Sequence, residues 1–300
     1  ILAQQVQADE VQTADTSSTI VQQTETTGTS ASFSNSALNT PETGSSGSTR
    51  DGATADAVAI KASTPTETTA SSTATDSIEA VIIHTNDVHG RILEEKGVIG
   101  DAKAAAVIEE ERSKVENTIV VDAGDAFQGL PISNSTKGED RANIMNQVGY
   151  DAMAVGNHEF DFGMDQAIKY KETLNFPLLS ANTYVNGARV FEASTIVDKT
   201  PTVVGDEFVV IGVTTPETAI KKKKKNIEGV TFADPITEVN KVIDEVEARA
   251  LADNRVYNNY IILAHLGVDA TTPVEWRGST LAEALSQNSQ LAGKRVIVIA

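Results

Sequence analysis

An α/β fold with a sheet covered on both faces is predicted by three features of this sequence. Continuous runs of β-branched and apolar residues recur along the chain, amphipathic helical patterns separate them, and both begin only after residue 77. Residues 78–300 are long enough to bury a sizeable core. Residues 1–77 are mainly Thr, Ser, Ala and Gln, with Phe33 as their one aromatic side chain, so little apolar area offsets the entropy of ordering them. The expected organisation is a disordered Thr/Ser-rich stalk over 1–77 followed by one folded domain over 78–300.

The first strand is expected at residues 80–85, Ala-Val-Ile-Ile-His-Thr, an unbroken run suited to burial on both faces. Similar runs follow at 118–121, 152–155 and 260–264, and a last one at 295–299. A further run at 208–213 fills out the sheet. The clearest helix starts at Pro235, where Ile236, Val239, Val242, Ile243 and Val246 keep a three-four spacing behind Asp234 as N-cap. No internal repeat and no stretch of eighteen apolar residues occurs, so no membrane-spanning helix is expected.

A formal net charge of −18 argues against a nucleic-acid partner, because such proteins need a basic face to displace counterions. An acidic protein still binds a small phosphate ester where bound cations reverse the charge locally. The absence of cysteine excludes disulfides and thiolate metal sites. At the front, Val6-Gln7-Ala8 has the form of the end of a secretory signal, which leads to the expectation of a remnant signal peptide and an exported protein.

Polar residues of metal-ligand type stand at the carboxyl ends of four of these strands: Asp87 and His89, Asp125, Asn157 and His158, and His265. Ligands of α/β sheets bind at those ends, so these side chains should converge. Oxygen and imidazole donors without thiolate suit Zn, Mn or a related divalent ion, and a single carboxylate can bridge two of them. Asp-x-His and Gly-Asp are each ordinary turn chemistry taken alone. Gly156-Asn157-His158-Glu159 says more, because three polar side chains directly after an apolar strand are costly to bury without partners. His84, inside its strand, reads as a core histidine.

Together, Thr85-Asn86-Asp87-Val88-His89-Gly90, Asp122-Ala123-Gly124-Asp125, Gly156-Asn157-His158-Glu159-Phe160-Asp161 and Ala264-His265-Leu266-Gly267 resemble the successive motifs of the dinuclear metallophosphoesterases. Gln128-Gly129 and Ser180-Ala181-Asn182 are similar to the 5′-nucleotidase and UDP-sugar hydrolase branch. The resemblance implies an αββα sandwich and two divalent metal ions. Asp87 and His89 would hold one ion, Asp125 would bridge, and Asn157 and His265 would hold the second. His158 and Asp161 match the family's catalytic pair. It further implies hydrolysis of a nucleotide substrate, AMP foremost, with 2′,3′-cyclic nucleotides or UDP-sugars as alternative substrates; with the stalk, it implies a protein secreted to the cell wall of a Gram-positive bacterium. A non-enzymatic surface adhesin is the competing class.

Two departures from the family pattern stand out. The family's last metal-binding loop and its C-terminal substrate domain are expected beyond residue 300, so the 300 residues alone are expected to turn over little nucleotide. Residues 221–225 are five consecutive lysines, for which a solvated loop is preferred to a phosphate-attracting lip.

Overall fold

The computed structural model describes residues 80–300 and the backbone of 58–60. The proposed signal remnant and the rest of the proposed stalk lie outside the described residues. In chain order the first half comprises β1 (Val58–Ile60), β2 (Ala80–Thr85), α1 (Asp101–Lys114), β3 (Thr118–Asp122), α2 (Pro131–Asn134), α3 (Glu139–Val148), β4 (Ala152–Ala154), α4 (Met164–Thr173) and β5 (Leu178–Leu179). The second half comprises β6 (Thr183–Val185), β7 (Ala188–Arg189), β8 (Ser194–Val197), β9 (Phe208–Thr214), α5 (Thr218–Lys221), β10 (Val230–Phe232), α6 (Pro235–Ala252), β11 (Asn259–His265), α7 (Gly278–Ser286) and β12 (Arg295–Ile299).

Two main sheets result, in the orders β1-β2-β3-β4-β5 and β12-β11-β9-β8, with a small sheet β10-β6-β7 beside them. Neighbours from β2 to β5 run parallel, as do β9, β11 and β12, while β1 and β8 add antiparallel edges. One expectation is corrected here: Val58–Ile60, read as stalk, forms β1, with Val58 opposite Ile82 and Ile60 opposite Ala80. The edge of β2 presents unpaired backbone groups, and a Val-Ala-Ile triplet is a suitable strand to satisfy them. A second correction concerns the run at 208–213, which does not fill out the first sheet but forms the fully buried centre of the second.

Alternation along the strands makes the layers. Ala80 and Ile82 of β2, Ile119 and Val121 of β3, Val210 of β9, and Ile261 and Leu263 of β11 share one core, which lies between the sheets. Their strand neighbours face the other way. Val81, Ile83 and Val120 pack with Ile108, Ala142, Met145 and Tyr170 of α1, α3 and α4. Val209, Ile211, Tyr260 and Ile262 pack with Val239, Val242, Ile243 and Val246 of α6 and with Leu281 and Leu285 of α7. The architecture is therefore helix, sheet, sheet, helix, the αββα sandwich expected from the sequence. Helix α6 begins as predicted: the Asp234 carboxylate accepts from Thr237 N at 2.8 Å, and Pro235 occupies the first turn.

The two sheets meet closely where β5 crosses β9. Ala181 N donates to the Gly212 carbonyl at 2.7 Å, and a Cβ on Gly212 would stand 2.5 Å from Leu179 Cβ. Gly212→Ala is therefore expected to destabilise the protein by about 1–3 kcal/mol, the range for overpacking a dense core. Chemical denaturation of the two proteins measures this, and a difference below about 0.5 kcal/mol, the level of an ordinary surface change, would contradict it.

Candidate metal centre

Each candidate ligand, and His158, sits at a strand's carboxyl end or on the turn that leaves it. Asp87 and His89 follow β2, Asp125 follows β3, Asn157 and His158 follow β4, and His265 is the last residue of β11. The first three of these strands belong to one sheet and the fourth to the other, so the cluster forms where both sheets end. Backbone bonds lace the loops after β2 and β3 together: Asp87 N to Gly124 O at 2.9 Å, His89 N to Asp125 O at 3.0 Å and Gly90 N to Ala126 O at 2.9 Å. Holding that arrangement strains the chain. Asp87, His89 and Asp125 have φ of 52°, 50° and 60°, a left-handed conformation that costs non-glycine residues about 1–3 kcal/mol each and gathers at functional sites. Gly124, at φ 106°, leaves room for its neighbours, since a Cβ there would lie 2.8 Å from His265 Nδ1.

Asp125 is the hub. Its side chain is 3% exposed; Oδ1 accepts from His158 N at 2.7 Å, and Oδ2 lies 3.3 Å from His265 Nε2 and 3.8 Å from His89 Nε2. His89 Nε2 is also 3.9 Å from Asp87 Oδ1. The tautomers follow from the outer partners. His89 Nδ1 faces the Gln128 carbonyl at 3.0 Å, His265 Nδ1 the Ala123 carbonyl at 3.0 Å, and His158 Nδ1 the Asp161 carboxylate at 2.6 Å. Each Nδ1 must then carry the proton, which leaves the Nε2 lone pairs of His89 and His265 toward Asp125. Lone pairs packed against a buried carboxylate repel one another unless a cation lies between them, so the donor set fits divalent ions. Two groups of donors each converge on a common point, His89 with Asp125 and His158, and Asp87 with Asp125 and His265. Asp125 is common to both, as a bridge would be. The sequence reading paired Asp87 with His89, whose Oδ1 and Nε2 stand 3.9 Å apart, and kept His158 apart from the ligands.

Electrostatics agree with this demand for positive charge. Burial pushes Asp125 toward the neutral form, yet His265, His158 and His89 hold its carboxyl well below the usual carboxylate range. Burial pushes His265 down, and the Asp125 charge and hydrogen bond overturn that, raising it to about 10. With no metal, a proton on His265 takes the cation's place. The Asn157 oxygen, 2.9 Å from His265 Nε2, accepts from the protonated ring, and coordination uses the same orientation; beside a neutral His265 the amide turns, its nitrogen donating to Asp125 at 3.3 Å and to His265 while its oxygen accepts from Lys222 Nζ at 3.1 Å.

Two buried carboxylates stood in the sequence motifs without an assigned role. Glu159 accepts from Gly156 N at 2.7 Å, Asp125 N at 2.9 Å and Ala126 N at 3.0 Å, so it ties the loops after β3 and β4; burial and then the Asp125 charge push it up to about 8. Asp122 accepts from Gly124 N at 2.7 Å and from the Thr85 hydroxyl at 2.5 Å, and burial raises it to about 7. Glu159 was within reach of the sequence, as the last polar residue of a run that could not be buried unpaired. The Ser180-Ala181-Asn182 motif joins the two sheets: Asn182 donates to the Thr214 carbonyl at 2.7 Å, and Thr214 Oγ1 donates to the Val155 carbonyl at 2.7 Å. His84 stays within β2, in register with Val121.

The solvated loop expected for residues 221–225 fails at Lys222. Its side chain is 8% exposed, and Nζ lies 2.9 Å from Asp161 Oδ1 and 3.0 Å from His158 Nδ1. Helix α5 ends at Lys221, and the extended backbone of Lys222 carries its side chain back onto the His158 turn. Burial pushes Asp161 up, and the His158 and Lys222 bonds outweigh it, holding the carboxyl below its ordinary value.

A four-layer αββα fold with oxygen and imidazole donors at its strand ends defines a metallophosphoesterase. The chain belongs to the calcineurin-like phosphoesterases, whose family profile matches residues 80–295. It is 39% identical over 179 residues to the 5′-nucleotidase of Vibrio cholerae serotype O1, covering 57% of this chain and 32% of that protein. It is 33% identical over 205 residues to the 5′-nucleotidase of Bos taurus, covering 64% of this chain and 34% of that one. Among solved structures it is similar to the calcineurin-like phosphoesterase YfkN from Bacillus subtilis, with a TM-score of 0.54, 27% identity, and coverage of 63% of this chain and 62% of the other. The resemblance drawn from the motifs is borne out, and the chain spans about a third of the length of the curated relatives it matches.

The His265 shift gives a pH test with a definite sign. A histidine raised from about 6.5 to about 10 by folding stabilises the metal-free protein fully below about pH 6.5, and that contribution is lost as pH rises toward 10. Melting temperatures of the chelator-treated chain should therefore fall between pH 6.5 and 10, and His265→Gln should flatten this dependence. An equal fall in both proteins would contradict the assignment.

Proposed function

We propose that the protein hydrolyses nucleoside 5′-phosphates with two divalent metal ions, Zn, Mn or similar, releasing phosphate and, from AMP, adenosine. The observation that carries this is the buried Asp125 carboxylate shared by two convergent donor groups, in a chain whose curated relatives are named 5′-nucleotidases. Bound divalent ions would supply Lewis-acid polarisation of a phosphoryl oxygen and a water acidic enough to ionise near neutral pH. Asp87, His89, Asp125, Asn157 and His265 are proposed to hold them.

His158 is proposed to act on the phosphoryl group. Its ring stands edge-on to His89 with centroids 5.0 Å apart, and the bond from Nδ1 to Asp161 leaves Nε2 as the functional nitrogen. Asp161 fixes the ring's tautomer and orientation. Among the described residues no helix is long and apolar enough to cross a membrane. The cell-surface location belongs to the same proposal and rests on the sequence alone.

Metal content and turnover separate the roles. In the whole gene product, Asp125→Ala is expected to lose both metals, while His158→Ala keeps them and loses about 10²–10⁴-fold in phosphate release from AMP. Equal metal loss in the two variants would show His158 to be a ligand. AMP turned over no faster than UDP-glucose or 2′,3′-cyclic AMP would move the substrate assignment to the alternatives, and a protein that binds no metal would favour an adhesin.

A further inference from the structure

The five consecutive lysines are not equivalent. Lys221 has a side chain 63% exposed and pairs along its own helix with Glu217 at 3.2 Å. Lys222 is nearly enclosed, and an enclosed ammonium is tolerated only where acceptors surround it. Its charged acceptor is Asp161 Oδ1 at 2.9 Å, and the Asn157 oxygen, 3.1 Å away when that amide is turned, is a second, neutral one. The 3.0 Å approach to His158 Nδ1 is not a further hydrogen bond, because that nitrogen already gives its proton to Asp161 Oδ2 at 2.6 Å. The same segment grips Asp161 at another point, where Asn226 Nδ2 donates to its backbone carbonyl at 2.7 Å.

Asp161 thus has one oxygen on His158 and the other on Lys222. A carboxylate held by a single bond can pivot about its side-chain torsions; one held at both oxygens and at its backbone cannot. We propose that Lys222 is a positioning residue for the reaction: it holds Asp161 Oδ1, so that Oδ2 keeps the His158 ring in one tautomer and one orientation. Its kinetic consequence rests on the function proposed above, whereas the contact itself does not.

Selective ¹⁵N labelling of histidine tests the contact without any turnover, since the chain has only four histidines to resolve. In the metal-free chain the Nδ1 proton of His158 should exchange slowly with water, and in Lys222→Met, which keeps the length of the stem, about tenfold or more faster. Lys222→Arg should restore slow exchange in part, and Lys221→Met should change nothing. In the whole gene product Lys222→Met should keep its metals and lose about 10- to 100-fold in kcat with little change in KM, the usual loss when an outer partner of a site is removed. Unaltered exchange in Lys222→Met would overturn the proposal whatever the activity. A raised KM with unchanged kcat would also overturn it, by showing that the ammonium meets substrate. A gene product without phosphohydrolase activity, but with the expected change in exchange, would refute the proposed function and leave the positioning role standing.

Discussion

Asp125 combines a nearly buried carboxylate with a left-handed backbone, and neither would persist without what surrounds it. Its amide is held by Glu159, its Oδ1 by the amide of His158, and its Oδ2 faces the imidazoles of His265 and His89. These partners come from three other strand ends, two in the same sheet and one in the other. The αββα sandwich places four strand ends around one point, and backbone strain in three candidate ligands shows that this placement was not free.

Buried acids around the hub explain how the strain is sustained. Glu159 and Asp122 accept from backbone amides and a hydroxyl, and so hold the loops in shape. A carboxylate that accepts several backbone N–H bonds satisfies donors that the turns would otherwise leave unpaired. The histidines obey the same logic from outside, each anchored through Nδ1 to a carbonyl or carboxylate. These bonds fix the loops and the rings around Asp125 relative to one another.

Much of this was readable from residue order, for physical reasons. Continuous β-branched runs can pack on two faces, so β2, β3 and β11 were legible as buried strands, and Asp234-Pro235 announced α6 because a cap and a fixed φ are local properties. Polar residues after those strands pointed to the site because burying them unpaired is costly. What residue order concealed was non-local. That β9 and β11 form a second sheet depends on which strands pair, and the capture of Val58–Ile60 depends on an open edge. Lys222 looked like its four neighbours, since only the tertiary path of the chain after α5 turns one of five lysines inward.

The central claim is that Asp125 is shared by two metal ions. Crystals of the whole gene product grown with Mn²⁺ and measured near the manganese edge would test it most directly. The account predicts two anomalous peaks about 3.5–4 Å apart, one on each side of the Asp125 carboxylate. A single peak, or peaks that do not touch Asp125, would contradict it.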